Sequence, residues 1–407
     1  MTESQTIKEI KFNKRYKIPD KYLVVRCLKA PEAGPKVLFF SGGTALRKLS
    51  RTLINYTYNS IHIITPFDSG GSSAEIRKAF NMLSIGDIRN RIISIADRSI
   101  QGNPDVYKLF SYRLDKSREN EQLKIEISEI IDGKHELISV IPDPMRKIIR
   151  NYLKFFYSRM TADFNLRGAN IGNLVLTGGY LNSGEHIDPV IFIFSKLVEA
   201  RAVVRPVSSK YLELAAVLEN GKTVIGQHLL TGKESSPLES PIKELFLTTS
   251  KETGKKDEIT RIELSARKKI TELIYAADLI CYPMGSFYTS LIANFLVKGI
   301  GQAISENPCI KVYIPNTGND PEQSGMTLSD SVCRILEYLR KSCIKKVVDE
   351  KLLNFIILDI KNGIYPPMGE LKKFKNIGLI DTPLMSDESY PNIDAIRLSE
   401  VLVSLSS

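Results

Sequence analysis

The chain has 407 residues, a formal net charge of +10, 43% apolar residues and 25% charged residues. This is the composition of a globular protein with a large core, and no apolar run approaches the roughly 18 residues that span a bilayer. The polar, lysine-rich N-terminus has no apolar segment of the secretory kind, so we expect a cytoplasmic protein. The scattered cysteines and histidines predict free thiols and no cysteine or histidine metal site.

The excess of basic residues is concentrated near the N-terminus. Residues 1–50 hold eleven Lys and Arg against four Asp and Glu. We predict a basic N-terminal extension over residues 1–35, with one strand at Tyr22–Leu28. Such an arm can bind nucleic acid or an anionic surface, although no aromatic RNA-binding pattern or recognition helix accompanies it. A solvated arm is therefore the favoured interpretation.

Two strand–turn–helix units open the predicted core. The apolar run Lys36–Phe40 predicts a buried strand, which a Ser-Gly-Gly-Thr turn connects to an amphipathic helix. Ile61–Thr65 predicts a second strand, followed by a glycine- and serine-rich loop. The helix after that loop is predicted over Ala74–Leu83, with Ser72 or Ser73 as its cap.

A third polar turn, at residues 85–90, opens a further helix towards Asp97. The first backbone N–H groups of a helix have no partner within it and favour an anion. Open parallel sheets also bind ligands at the edge where such turns lie. The repeated arrangement therefore predicts an anion-binding cleft.

The middle of the chain departs from this alternation. Helix-forming residues dominate positions 105–165 and predict a helical insertion that covers one side of the site. Asn173 is predicted at a turn before an apolar helix, where its amide can cap the backbone or hold a ligand. Residues 231–257 are polar and predict a mobile loop. Three short strands are predicted before that loop, the last two joined by a hairpin turn: Ala202–Pro206, Leu212–Leu218 and Lys222–His228.

The C-terminal part resumes the alternation of strands and helices. Asp278–Tyr282 predicts a strand that a glycine–serine turn connects to a helix with Leu291 and Phe295 on its buried face. The remaining predicted elements are a strand at Ile310–Ile314, a helix at Leu328–Leu339, a strand at Asn354–Asp359 and a helix at Asp394–Leu405.

Five segments carry a resemblance to a known family. They are Ser-Gly-Gly-Thr at 41–44, Thr-Pro-Phe-Asp-Ser-Gly-Gly-Ser-Ser-Ala at 65–74, Gly-Asp-Ile-Arg-Asn at 86–90, Ile-Gly-Asn-Leu at 171–174 and Pro-Met-Gly-Ser-Phe-Tyr-Thr-Ser at 283–290. In wording and order they resemble the 2-phospho-L-lactate transferase (CofD-like) superfamily. Its gluconeogenesis-factor branch, whose members bind UDP-sugars, is the nearer match. The nearest is a divergent CofD-related branch of a three-gene system, the GAK system, which implies ATP-grasp and HprK-related kinase partners.

The resemblance and the residues together predict a site for a phosphorylated small molecule or a nucleotide-sugar. Backbone amides, hydroxyls and two arginine cations supply what an anion needs, although each turn could also serve only as a turn. The predicted binding residues are Gly42, Gly43, Thr44, Ser69, Gly70, Gly71, Ser72, Ser73, Arg77, Arg89, Asn90, Asn173, Gly285, Ser286, Tyr288, Thr289 and Ser290.

Asp68 and Asp87 are the predicted catalytic residues. Asp68 follows a strand and precedes Ser-Gly-Gly, where it can bind Mg²⁺ on a phosphate, accept a proton, or only cap the loop. It resembles the first of two adjacent family aspartates, and Ser69 replaces the second. Asp87 can compensate for that loss or merely cap a helix. Ser41 and Ala45 also replace family glycines, which leaves a phosphate less room to approach the first turn.

We therefore predict an α/β protein: a three-layer Rossmann-like sandwich with a mainly parallel sheet, a core over residues 36–345 and a C-terminal elaboration over 346–407. The leading function is a CofD-like protein that binds a phosphorylated or UDP-sugar-like ligand, with Mg²⁺-dependent phosphoester transfer if it is an enzyme. The alternatives are a metabolite-sensing regulator and a protein that binds nucleic acid or an anionic surface through its basic arm. A homodimer is left open.

Overall fold

A computed structural model describes residues 17–99, 102–232, 238–250 and 259–406. Residues 1–16 of the predicted basic arm, including Lys11, Lys14 and Arg15, lie outside these ranges. No helix among the described residues is long and apolar enough to cross a membrane. The five cysteines form no disulfide.

Most of the strands belong to one parallel sheet. Its seven described members are β1 (Val37–Ser41), β2 (Ile61–Ile64), β3 (Val203–Pro206), β9 (Leu279–Tyr282), β11 (Ile310–Tyr313), β12 (Phe355–Leu358) and β13 (Gly378–Asp381). Their order across the sheet is β13-β12-β11-β9-β1-β2-β3, and every neighbouring pair is parallel. The predicted three-layer α/β sandwich with a mainly parallel sheet is confirmed.

The strand order reverses direction between β1 and β9. From β1 the chain builds outward through β2 and β3, then returns to the other side of β1 and builds outward again from β9. Ligands of open α/β sheets bind outside the carboxyl ends of the strands at such a reversal. The turns after β1 and β9 therefore flank the expected ligand position.

Helices cover both faces of the sheet. They are α1 (Lys21–Lys29), α2 (Arg47–Leu53), α3 (Gly71–Phe80), α4 (Gly86–Ser94), α5 (Pro104–Ser111), α6 (Asn120–Asp132), α7 (Glu136–Ser139), α8 (Met145–Arg159), α9 (Ile171–Asn182), α10 (Ile187–Leu197), α11 (Gln227–Leu230), α12 (Lys268–Tyr275), α13 (Ile300–Glu306), α14 (Leu328–Lys341) and α15 (Ala395–Leu405). Alternate residues of β1 enter opposite cores: Phe39 packs with α1, α2 and α15, and Phe40 with α12–α14. Helices α4–α10 form a third cluster beside β2 and β3, so the predicted helical insertion is present and extends past residue 165.

The predicted strand at Tyr22–Leu28 is wrong, because this segment forms α1. The Asp20 carboxylate accepts hydrogen bonds from the N–H groups of Tyr22 and Leu23 and caps the helix. Leu23, Val24 and Cys27 are buried, and their spacing fits one face of a helix better than the alternation of a strand.

The predicted mobile loop at 231–257 is also wrong over its described centre. Ile242–Thr248 forms β6, which pairs with β4 (Glu213–Leu218) in a small antiparallel sheet with β5 (Thr223–Ile225) and β7 (Arg261–Ile262). Residues 233–237 and 251–257 of the predicted loop lie outside the described ranges. The predicted hairpin of β4 and β5 is present, but its second strand ends at Ile225 and α11 follows.

The segment after β9 folds differently from the regular helix that we predicted. Phe287–Leu291 forms a π-helical turn and Ile292–Leu296 a 3₁₀-helical turn. A short strand, β10 (Val297–Lys298), then pairs with β8 (Leu264–Ser265). Leu291 and Phe295 are buried as predicted. Such irregular turns are common at functional sites.

Candidate functional site

The turns after β1 and β9 enclose one cavity of about 540 Å³. Gly42 and Thr44 line it from one side and Gly285, Ser286 and Ser290 from the other, so the switch point brings the first and last predicted motifs together. Segments around Asn316 and Asn392 complete the wall. A Cβ on Gly42 would lie 3.0 Å from the Ser290 Cβ, so the close approach of the two turns requires glycine.

Asp68 and Asp87 converge beside the first turn. The Gly43 N–H donates a hydrogen bond to the Asp87 carboxylate, and a Cβ on Gly43 would lie 2.9 Å from the Asp87 Cα. A Cβ on Gly86 would lie 2.5 Å from Ser73 Oγ and 3.3 Å from Asp68 Oδ2. The Asp87 carboxylate therefore lies against the glycines of the first turn, and Asp68 and Ser73 of the second turn lie against Gly86 of the third.

The pKa of Asp87 differs from that of an ordinary surface aspartate. Burial raises its pKa to about 7, and repulsion from Asp68 contributes in the same direction. The cations of Arg91 and Arg89 and the hydrogen bond from Gly43 oppose this rise without cancelling it. Two mutually repelling carboxylates near a cleft are stabilised by a bound cation.

Two buried arginines of α4 support the site in different ways. Arg91 is fully buried and donates hydrogen bonds to Ser50 Oγ (2.5 Å) and the Gly42 carbonyl (2.8 Å). These bonds hold the first turn against α4. Arg89 is 7% exposed, and its Nε has no partner among the described residues. Burial, followed by the nearby cations of Arg113 and Arg47, lowers the pKa of Arg89 to about 10. Arg47 lines the cavity, so a positive field extends from it to Arg89.

The amides after β9 do not form the open anion cradle that their sequence predicts. The Glu322 carboxylate accepts the N–H groups of Tyr288 (2.7 Å) and Thr289 (2.9 Å) and the Thr289 hydroxyl (2.6 Å). Asp320 accepts the N–H of Phe287 at 2.8 Å. Carboxylates of the chain itself therefore occupy the place that we assigned to a phosphate.

Three further predicted ligand contacts serve structural roles. Arg77 is buried, pairs with Glu213 at 3.0 Å and donates to the carbonyls of Leu212 and Asp68, so its charge is already neutralised. Thr289 is held by Glu322 as described above. The Tyr288 ring is buried, and its hydroxyl donates to the Ile242 carbonyl of β6.

The remaining predicted binding residues of the second turn lie where the loop after β2 meets α3. Gly70 flanks the first turn of α3 as its N-cap, and its N–H donates to Asp68 Oδ1 at 3.1 Å. The predicted hydroxyl caps are therefore wrong: α3 begins at Gly71, whose φ of +48° favours glycine, and no side chain caps it. Ser73 is buried near Asp68, and the side chain of Ser72 lies outside the described part of the structure.

Two predicted amides lie beside Arg89. Asn90 Oδ1 accepts a hydrogen bond from Arg89 at 2.8 Å. Asn173 is the third residue of α9 rather than part of the preceding turn, because Asn170 caps the helix through the Asn173 N–H. The buried Asn173 Oδ1 has no partner among the described residues, and the adjacent Gly172 packs against the Arg89 side chain.

The structure also adds a residue that sequence reasoning missed. His228, at the start of α11, forms a hydrogen bond with Ser69: Ser69 Oγ lies 2.8 Å from Nδ1, and the His228 backbone N–H also donates to Oγ at 3.3 Å. The two residues are 159 positions apart, and the only sequence signal was the unusual serine after Asp68.

Comparison with known proteins identifies the family of this chain. The family model described as 2-phospho-L-lactate transferase CofD matches residues 37–363, which include all of the turns above. The chain belongs to the CofD family. The match spans β1 through the strand β12 and therefore covers both sides of the switch point in this CofD-family protein.

Similar proteins carry a different name. The chain is 27% identical over 321 residues to the gluconeogenesis factor of Halalkalibacterium halodurans, covering 78% of this chain and 77% of that protein. It is 26% identical over 306 residues to the gluconeogenesis factor of Bacillus subtilis, with 75% of each chain covered. The crystal structure of protein BH3568 from Bacillus halodurans has a TM-score of 0.64 and 23% identity, covering 91% of this chain and 99% of that one, which shows a shared fold.

Proposed function

We propose that this CofD-family protein binds a phosphorylated or UDP-sugar-like ligand together with Mg²⁺ in the cleft at the switch point. If it turns over, it transfers a phosphoester group of the 2-phospho-L-lactate type. The observation that carries the proposal is the proximity of two carboxylates at the carboxyl edge of the sheet: Asp87 lies against Gly42 and Gly43, Asp68 lies against Gly86, and the two acids repel each other.

The donor set fits Mg²⁺ held jointly by protein and ligand. Mg²⁺ in phosphate sites commonly takes one or two carboxylates, with phosphate oxygens and waters completing its shell. Asp68 uses Oδ1 to cap Gly70, and Oδ2 faces Gly86 close to Asp87. Among the described residues no group of three or more His, Cys, Asp and Glu gathers, which leaves ligand oxygens as the remaining partners.

Residues that line the cavity and residues beside it would then have different roles. Asp68 would hold the ion, and ionised Asp87 would supply the second carboxylate that Ser69 does not. A bound Mg²⁺ neutralises charge on phosphoryl oxygens. Gly42 and Thr44 line the cavity where the phosphate would approach the backbone, Arg47 would contact the phosphate there, and the nearby charge of Arg89 would add to the attraction.

A second candidate function is metabolite sensing without turnover. It is favoured by the name of the relatives, gluconeogenesis factor, and by Ser69, which replaces the second family aspartate and forms a hydrogen bond with His228. As a sensor, the protein would bind a UDP-sugar in the same cleft. The partners to test would then be the ATP-grasp and HprK-related kinase proteins of the GAK system, which its sequence resembles. The nucleic-acid alternative rests on a basic arm whose first 16 residues lie outside the described ranges.

Thermal unfolding measured against a panel of phosphorylated metabolites and UDP-sugars, with and without Mg²⁺, tests the proposal. A compound that binds the native state raises the unfolding temperature. We expect Mg²⁺-dependent stabilisation by at least one compound, lost in Asp68→Asn and kept in Asp349→Asn, a control on a surface turn. Stabilisation that is equal with and without Mg²⁺ in all three proteins would contradict the role of Asp68. Detection of a transferred phosphoester group would then show that the protein is an enzyme and not only a sensor.

A further inference from the structure

A second cavity lies next to the Asp68 loop, on the side of the helical insertion. It has a volume of about 270 Å³. Gly71 and Glu75, at the start of α3, form one wall, and the opposite wall comes from the segments after α5 and α8, which contribute Arg113, Lys116 and Arg167. Because Gly71 follows Asp68 by only three residues, this wall of the second cavity lies within about 11 Å of Asp68.

The charge of this second cavity is positive. Glu75 is its only acidic lining residue among those described, against three cations. Arg167 is partly neutralised, because it pairs with Glu119 at 2.7 Å. In the part of the chain that the structure describes, no carboxylate lies within ion-pair distance of Arg113 or Lys116.

Arg113 and Lys116 are nevertheless held in place. Arg113 donates a hydrogen bond to the Gly168 carbonyl at 2.6 Å. The methylene chain of Lys116 packs over the same glycine, where a Cβ would lie 2.8 Å from Lys116 Cε. Gly168 has a φ of +70°, a conformation that other residues rarely adopt. Ordering long cationic side chains has an entropic cost, which an anion between them would offset through charge-assisted hydrogen bonds.

The cations also continue the field of the main cleft. Arg113 and Arg47 each lie close enough to Arg89 for their charges to repel, and Arg47 lines the first cavity. Arg89 therefore interacts with one cation from each cavity. A ligand with a single anionic group in the first cavity would leave Arg113 without a counter-charge.

We propose that the second cavity binds another anionic group, a phosphate or a carboxylate, of the ligand that occupies the Asp68–Asp87 cleft. The site consists of Arg113 and Lys116, with Gly168 as their support. This inference rests on the proposed function and narrows its substrate class to molecules that carry two separated anionic groups.

Calorimetric titration of inorganic phosphate and of malonate in Mg²⁺-free, low-salt buffer tests this site. We expect the parent to bind one or both, and the double variant Arg113→Gln/Lys116→Gln to bind at least about tenfold more weakly, because two charge-assisted contacts are lost. Tighter binding of phosphate would assign a phosphate group, and tighter binding of malonate a carboxylate. Lys346→Gln/Lys375→Gln is the matched control, since it removes two exposed charges elsewhere.

The outcomes separate this inference from the proposed function. Asp68→Asn should retain the Mg²⁺-free anion binding, because its carboxylate is not part of the second cavity. If the parent binds neither anion, or the double variant binds as well as the parent, the second site is refuted even where Asp68 proves to hold Mg²⁺. Lys116→Gln alone, at an exposed position, keeps the test decisive if the double variant folds poorly.

Discussion

Gly43→Ala is the substitution that most directly probes the packing of the candidate site. The new methyl group would lie 2.7 Å from Asp87 Cγ and 2.9 Å from Asp87 Cα. Ordinary carbon–carbon contacts require about 3.5–4.0 Å, so the first turn and the start of α4 must separate by roughly 1 Å. Because the Asp87 backbone is involved, rotation of a side chain cannot relieve the clash.

The expected destabilisation is about 1–3 kcal/mol, the usual range for an extra methyl group in a packed region. The same shift would stretch the hydrogen bond from the Gly43 N–H to Asp87 and move Asp87 relative to Asp68. We therefore expect both a lower unfolding temperature and weaker Mg²⁺-dependent stabilisation by an active compound. Thermal unfolding with and without Mg²⁺ measures both effects.

Gly318→Ala is the matched control for this experiment. Gly318 lines the cavity that the neighbours of Gly43, Gly42 and Thr44, also line, yet no described atom lies within 4 Å of the position of its Cβ. Its variant should unfold and respond to Mg²⁺ as the parent does. If Gly43→Ala and Gly318→Ala behave alike, the close contact between the first turn and Asp87 is refuted.

Two further predictions follow from raised carboxyl pKa values. Because the pKa of Asp87 is about 7, protons compete with Mg²⁺ below neutrality, so Mg²⁺ should bind about tenfold more weakly near pH 6 than near pH 8 in calorimetry. Asp87→Asn should flatten that dependence, and an equally steep curve in the variant would refute it. Burial raises the pKa of Glu322 from 4.5 to about 7, so its contribution to stability is present below about pH 4.5 and lost as the pH rises through about 7. Urea unfolding should show that Glu322→Gln loses less stability than the parent between about pH 5 and pH 8, and equal losses would contradict this assignment.

The sequence was sufficient for the parts of the fold that depend on local pattern. Lys36–Phe40 and Ile61–Thr65 read as buried strands before glycine turns, and they form the centre of the sheet. The parallel order of those strands then brings the turns to one edge, which is why Gly43, Asp68 and Asp87 meet. Hydrophobic runs and turn residues report these features without knowledge of distant contacts.

The remaining features depend on contacts between residues far apart in the chain. The capture of the Tyr288 and Thr289 amides by Glu322, more than thirty positions away, has no local signature. The same is true of Ser69 with His228 and of Arg77 with Glu213. Strand β6 did carry a signal in Leu245-Phe246-Leu247, which the polar residues on either side concealed.

The central claim is that Asp68 holds Mg²⁺ with a phosphorylated ligand, and calorimetric titration of Mg²⁺ tests it most directly. The titration is made into the parent, Asp68→Asn and Ser69→Asp, each saturated with a compound found by thermal unfolding. We expect Asp68→Asn to lose Mg²⁺ binding, since it removes the charge and keeps the shape. Ser69→Asp should bind more tightly, because it adds a second carboxylate directly beside Asp68. Identical Mg²⁺ affinities in all three proteins would contradict the metal site. Asp68 would then have only the structural role of accepting the Gly70 N–H.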